Sequence, residues 1–99
     1  MLNEYIVIFT SLQQHNINYI YRINYDYSND DFNVNILYQG NLNFDLEHPI
    51  EAIGYYESEE IQKVYWVDGI NPNRFINIAN DKNGYAPNYP GNKIYQFDF

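Results

Sequence analysis

Nine carboxylates, Asp26, Asp30, Asp31, Asp45, Glu47, Glu51, Glu57, Glu59 and Glu60, lie between Arg22 and Lys63, an interval with no lysine or arginine. Carboxylates at that density can hold a metal ion, work as an acid/base pair, or offer negative charge to a cationic partner. The run Asp26-Tyr27-Ser28-Asn29-Asp30-Asp31 sets oxygen side chains at the first, third and fifth positions of a calcium loop. Such a loop needs glycine at its sixth position and a bidentate glutamate at its twelfth. Asp31 and Leu37 stand there instead, so the run reads as a plain hairpin turn. Glu59 with Glu60, and Asp30 with Asp31, are adjacent pairs whose side chains point apart, which makes no acid/base pair. Display of charge is the chemistry that remains.

The other reactive side chains add little. His15 and His48 are the two histidines, and neither has a second histidine at metal spacing. Surface or capping roles suit both. Thr10, Ser11, Ser28 and Ser58 lie in no nucleophile-elbow context. Gly40, Gly54, Gly69, Gly84 and Gly91 form no phosphate-cradling cluster. Cysteine is absent, which removes disulfides and thiolate metal sites. No catalysis, cofactor or metal is expected.

The net charge of −8 disfavours direct nucleic-acid binding and anionic membranes, both of which call for a basic footprint. It favours a basic protein partner. The opening MLNEYIVIFTSL lacks a basic leader region and its apolar run is too short to span a bilayer. A cytoplasmic setting, in a bacterial or phage-infected host cell, is the expectation.

These residues need elements to hold them. Ninety-nine residues suit one domain, 1–99, with an aromatic fraction of 19% and twelve tyrosines. Tyrosine rings bury large areas, but their hydroxyls want partners or water. The stretch INYIYRINYDY alternates with period two: Ile17, Tyr19, Tyr21, Ile23, Tyr25 and Tyr27 on one face, Asn18, Ile20, Arg22, Asn24 and Asp26 on the other. This predicts a half-buried strand. Its tyrosine face is expected in the core with wet hydroxyls, exposure to a protein partner being the alternative. Base stacking is disfavoured because Arg22 stands alone on the opposite face.

FNVNILYQ, residues 32–39, alternates likewise and predicts a hairpin partner across the turn at 28–31. Residues 4–10 predict a first strand with Tyr5, Val7 and Phe9 on one face, Ile6 and Ile8 on the other, hence central or well covered. NLNFDL, 41–46, predicts a short strand. Residues 52–56 are read as a strand paired with 61–68 across Glu57–Glu60, in preference to a helix opened by Pro49. Asn71-Pro72 and Gly84 give helix start and stop signals, predicting a short helix over 72–83; a strand with Ile76 and Ile78 inward is the rival. A Pro/Gly loop at 85–92 and a last strand at 93–99 close the chain. The expected fold is mainly β (α+β): a single antiparallel, strongly curled sheet of five to seven strands with one short helix.

The functional expectation is a non-catalytic inhibitory binding protein, of immunity, antitoxin or phage-encoded anti-defence type. It blocks a basic, nucleic-acid-handling protein by acting as a nucleic-acid mimic. The nine carboxylates bind the partner, Tyr55 and Tyr56 anchor it, and the acidic groups share one flank. The alternative is a structural or assembly subunit, such as a homodimer, that self-associates through a tyrosine-rich sheet edge. A small-molecule-binding module comes third.

Overall fold

The computed structural model describes residues 5–12, 17–87 and 91–97, which are mainly β and contain no helix. The strands are β1 (Ile6–Leu12), β2 (Ile17–Asp26), β3 (Asp31–Gly40), β4 (Glu51–Ser58), β5 (Ile61–Val67), β6 (Arg74–Asn77) and β7 (Ile94–Gln96). They form two antiparallel sheets, β1-β2-β3 and β4-β5-β6-β7, where a single sheet was expected. The break falls at residues 41–50, where the predicted strand 41–46 is absent. The Leu42 N–H donates to Asn18 Oδ1 at 2.8 Å, the Leu42 carbonyl accepts from Arg74 Nη1 at 2.7 Å, and Asn43 has φ 58°. Side chains thus take up backbone groups that a strand ladder would have used, and the chain crosses into a second layer that buries the first.

Ile20, Leu37, Leu42, Val64, Trp66, Ile76 and Ile78 form the buried core, with Tyr5, Val7 and Phe9 of the β1 side packed against it. The face of β2 that points inward is Asn18, Ile20 and Arg22, all buried. The tyrosine face points outward, a reversal of the expected packing. The polar inner residues are tolerated because they are bonded. Asn18 Nδ2 donates to the Thr10 carbonyl at 3.4 Å. Arg22 donates to the Ile78 carbonyl at 2.6 Å, to Asn80 Oδ1 at 3.0 Å and to Asn35 Oδ1 at 3.1 Å, and its guanidinium lies 4.5 Å from the Tyr5 ring centre. A buried polar group without partners would cost several kcal/mol; the bonds from Arg22 to Ile78 and Asn80 also fasten the two layers together.

Alternation also fails in β3, for a local reason. Ile20 pairs with Tyr38 but Tyr21 pairs with Ile36, so Leu37 is an extra residue at a β-bulge. The bulge leaves Phe32, Val34 and Ile36 outside while Leu37 and Tyr38 both serve the core. The β2–β3 hairpin itself matches the sequence reading. So does the β4–β5 hairpin, with Gly54 opposite Val64 and Tyr56 opposite Gln62.

The predicted helix at 72–83 is replaced by β6. Val64 pairs with Ile76 and Tyr65 with Phe75, and both Ile76 and Ile78 are buried, which is the rival strand pattern. The helix signals have other uses here. The Asp68 carboxylate accepts the Asn71 N–H at 2.8 Å, and Gly84, at φ 84°, closes a turn by donating to the Asp81 carbonyl at 2.9 Å. Pairing along a whole strand outweighs two end signals. Finally, β1, expected to be central or well covered, is an edge strand, and the tyrosine-rich β2 is the middle strand of its sheet. Self-association through a β2 edge is therefore ruled out.

Candidate functional site

In an antiparallel pair, residues directly opposite share a face. Starting from Ile23, the register gives Ile6 on one side and Val34 on the other; Tyr21 sits between Ile8 and Ile36; Tyr25 faces Phe32. The outer face of β1-β2-β3 is therefore a continuous apolar and aromatic surface. Ile6 is 61% exposed, Phe32 61% and Val34 59%. The rings on it are ordered among themselves: Tyr19 stacks on Tyr21 at 5.6 Å, and Tyr25 meets Phe32 edge-on at 5.3 Å.

The outer face of the second sheet differs. There Tyr65, Phe75, Tyr95 and Phe97 pack on one another, with ring centres 5.1–5.3 Å apart for Phe75–Tyr95, Tyr65–Phe75 and Tyr65–Phe97. Lys63 Nζ sits 5.3 Å from the Phe75 ring centre and 3.1 Å from Glu57. Tyr65 and Phe75 are half-buried by these neighbours. Among the described residues no such cluster caps Ile6 and Val34, and Phe32 stays exposed despite its contact with Tyr25. Contiguous apolar surface of that kind is what marks interaction sites on otherwise soluble folds.

The nine central carboxylates do not form one flank. Glu51 pairs with Val67 and Ser58 with Ile61, so Glu51 and Glu57 sit at opposite ends of β4, about 20 Å apart at the usual strand rise. Arg22 reaches Ile78, whose N–H donates to the Gln62 carbonyl at 2.8 Å. Asn18, four residues earlier, meets Leu42, which accepts from Arg74, so β2 runs alongside β6 in the same direction, and the turns holding Asp26, Asp30, Asp31 and Glu57, Glu59, Glu60 lie at the same end. Asp45, Glu47 and Glu51 lie at the other end.

The turn at 26–31 behaves as a turn. Asp26 accepts from the Ser28 N–H at 2.9 Å and Asn29 Nδ2 at 2.7 Å, and Asp31 from the Phe32 N–H at 2.7 Å. Tyr55 and Tyr56 are exposed on β4, on opposite sides of the strand. His48 is exposed, 3.4 Å from Asp45; His15 lies outside the described residues. Among the described residues no group of three metal-capable side chains occurs.

Among the described residues two charged groups, Arg22 and Asp68, are buried, and both tie elements together. Burial lowers the pKa of Arg22, while the nearby Tyr5 hydroxyl opposes that. Burial alone would raise the Asp68 carboxyl; hydrogen bonds from the Asn71 side chain and backbone and from the Ile70 N–H, with the charge of Arg74, outweigh it and leave the pKa below the ordinary value. Asp68 thereby fixes the turn that leads into β6.

Sequence reasoning missed Ile6, Ile8, Ile23, Phe32, Val34 and Ile36 as a surface. The signal was present: β1 is apolar on both faces and β2 and β3 each carry an apolar face, and a chain this short cannot cover every such face.

Fold and surface together define a small antiparallel two-sheet module in which the described residues leave one sheet face exposed. Residues 1–99 match the crassvirus muzzle protein family, and the chain belongs to that family. It is similar to the muzzle protein of Bacteroides phage crAss001, with 44% identity over 89 residues that cover 90% of this chain and 6% of the relative. The chain thus spans about 6% of the length of that relative. The likeness supports a phage-encoded protein.

Proposed function

We propose that this chain is a non-catalytic structural and binding module of a phage muzzle, and that it seats the outer face of β1-β2-β3 on another part of the muzzle polypeptide. The bare Ile6, Phe32 and Val34 on a sheet whose rings are already ordered carry this reading. A rigid apolar face loses little entropy on docking. The test is the pair Ile6→Lys and Val34→Lys. The isolated chain should keep its stability to within about 0.5 kcal/mol per site, because both positions are exposed. Muzzle assembly with the double variant should fail. Normal assembly overturns the reading.

The co-location of the turns at 26–31 and 57–60 favours a second reading, in which that acidic end occludes a basic, nucleic-acid-handling protein of the host. Such an encounter is steered by charge and weakens with salt. Reversing Glu57, Glu59 and Glu60 to lysine should abolish binding to a basic target; unaltered binding removes the reading.

A further inference from the structure

β4 is exposed at every one of its eight residues, although it belongs to a four-stranded sheet. Its inner face, set by pairing with the buried Gln62, Val64 and Trp66, is Tyr56, Gly54 and Ala52. No described element lies over it. A Cβ added at Gly54 meets no atom within 4 Å. An open cleft of about 380 Å³ runs between these residues and Tyr5, Val7 and Phe9 on the β1 side.

The sheets explain the cleft. Phe9 of β1 packs on Trp66 of β5 at 5.3 Å, and Arg22 of β2 reaches Ile78, just past β6. So β1 lies over β5, β2 lies over the β6 side, and no described residue lies over β4. One strand spacing beyond β1, about 4.8 Å, is the position that would cover it. β1 has a free edge facing that position, since among the described residues it pairs with β2 alone.

We propose that a single extended strand from elsewhere in the muzzle polypeptide adds to the free edge of β1 and roofs β4. This is strand addition: backbone hydrogen bonds supply affinity and alternate side chains supply specificity. The incoming strand places apolar side chains at alternate positions into the cleft, where Gly54 and Ala52 leave room. β1 from Ile6 to Leu12 carries no charge, and Glu57 already pairs with Lys63 at 3.1 Å, so an uncharged strand suits the position. A second copy of this chain does not fit. Pairing β1 with its own copy would bring the two β5 strands within about one strand spacing, where two β4 strands must also lie.

The identity of the donor rests on the reading of the chain as a muzzle module; the vacant strand position does not. The chain has no cysteine, so Gly54→Cys gives a unique thiol in a position with open space. In the assembled muzzle, Cys at 54 should react with a maleimide at least tenfold more slowly than in the isolated chain. A thiol-to-amine cross-linker placed there should join a muzzle segment outside residues 1–99. Rates within twofold of each other, or cross-links to a second copy of residues 1–99 alone, overturn the proposal. Val34→Cys, read in parallel, separates the two surfaces. Protection at 34 with free reaction at 54 sinks strand addition and leaves the docking face standing; the opposite result sinks the docking face and leaves strand addition standing.

Discussion

The two faces of β2 teach opposite lessons about burial. The inward face holds Asn18, Ile20 and Arg22, the outward face Tyr19, Tyr21, Ile23 and Tyr25. By hydrophobicity the assignment should be reversed. The polar inward residues are accepted because each finds partners: Asn18 with Leu42 and Thr10, Arg22 with Ile78, Asn80 and Asn35. The apolar outward residues have no covering element among the described residues. Such a sheet suits the docked face proposed above.

The sharpest way to test that contrast is to truncate each face in turn. Ile20, fully buried, should lose about 3 kcal/mol on Ile20→Ala, from lost burial and the cavity left behind. Urea unfolding measures it, and a loss under 1 kcal/mol would mean that the inward face is not the core. The next largest effect belongs to the polar fastener. Arg22→Met keeps the apolar stem but leaves the Ile78 carbonyl and the Asn80 and Asn35 oxygens without their donor. A cost of about 2 kcal/mol is expected; a neutral or stabilising result would show that apolar packing alone holds the layers.

Asp68→Asn should cost about 1 kcal/mol at neutral pH, seen as a lower urea midpoint. The folded pKa of Asp68 lies below its ordinary value. Its contribution is therefore present above the ordinary carboxylate pKa and is lost as pH falls through the lower, folded one. Thermal melts between neutral and acid pH should show a shallower acid limb in Asp68→Asn than in the parent; identical limbs would remove Asp68 from the account of the β5–β6 turn. The smallest effect is on the outward face. Val34→Ala should change the isolated chain by no more than about 0.5 kcal/mol, and a larger loss would mean that this face is already covered within the chain.

Much of this was legible from the residues. The β2–β3 and β4–β5 hairpins follow from alternation and turn composition, and the mainly β character follows from the β-branched and aromatic runs. Orientation was not legible in β2, because period two says which residues share a face and not which face is inside. The bulge at Leu37 leaves no mark in the alternation of FNVNILYQ, since Leu37 and Tyr38 are both plausible core residues. β6 was hidden by Asn71, Pro72 and Gly84, whose helix-end chemistry also suits turns. Of the candidate surfaces, the acidic turns could be named but not placed, because strand direction in the second sheet decides which end each occupies. The apolar face was missed because β1, apolar on both sides, reads as a central strand.

Side-chain oxidation in the assembled muzzle tests the proposed docking of the outer face most directly. Phe32 lies on the outer face and Tyr27 at the hairpin tip, 61% and 83% exposed. Hydroxyl-radical footprinting should modify both readily in the isolated chain. In the muzzle, Phe32 should be protected at least tenfold while Tyr27 changes less than twofold. Phe32 reacting equally fast in both states would contradict a docked outer face.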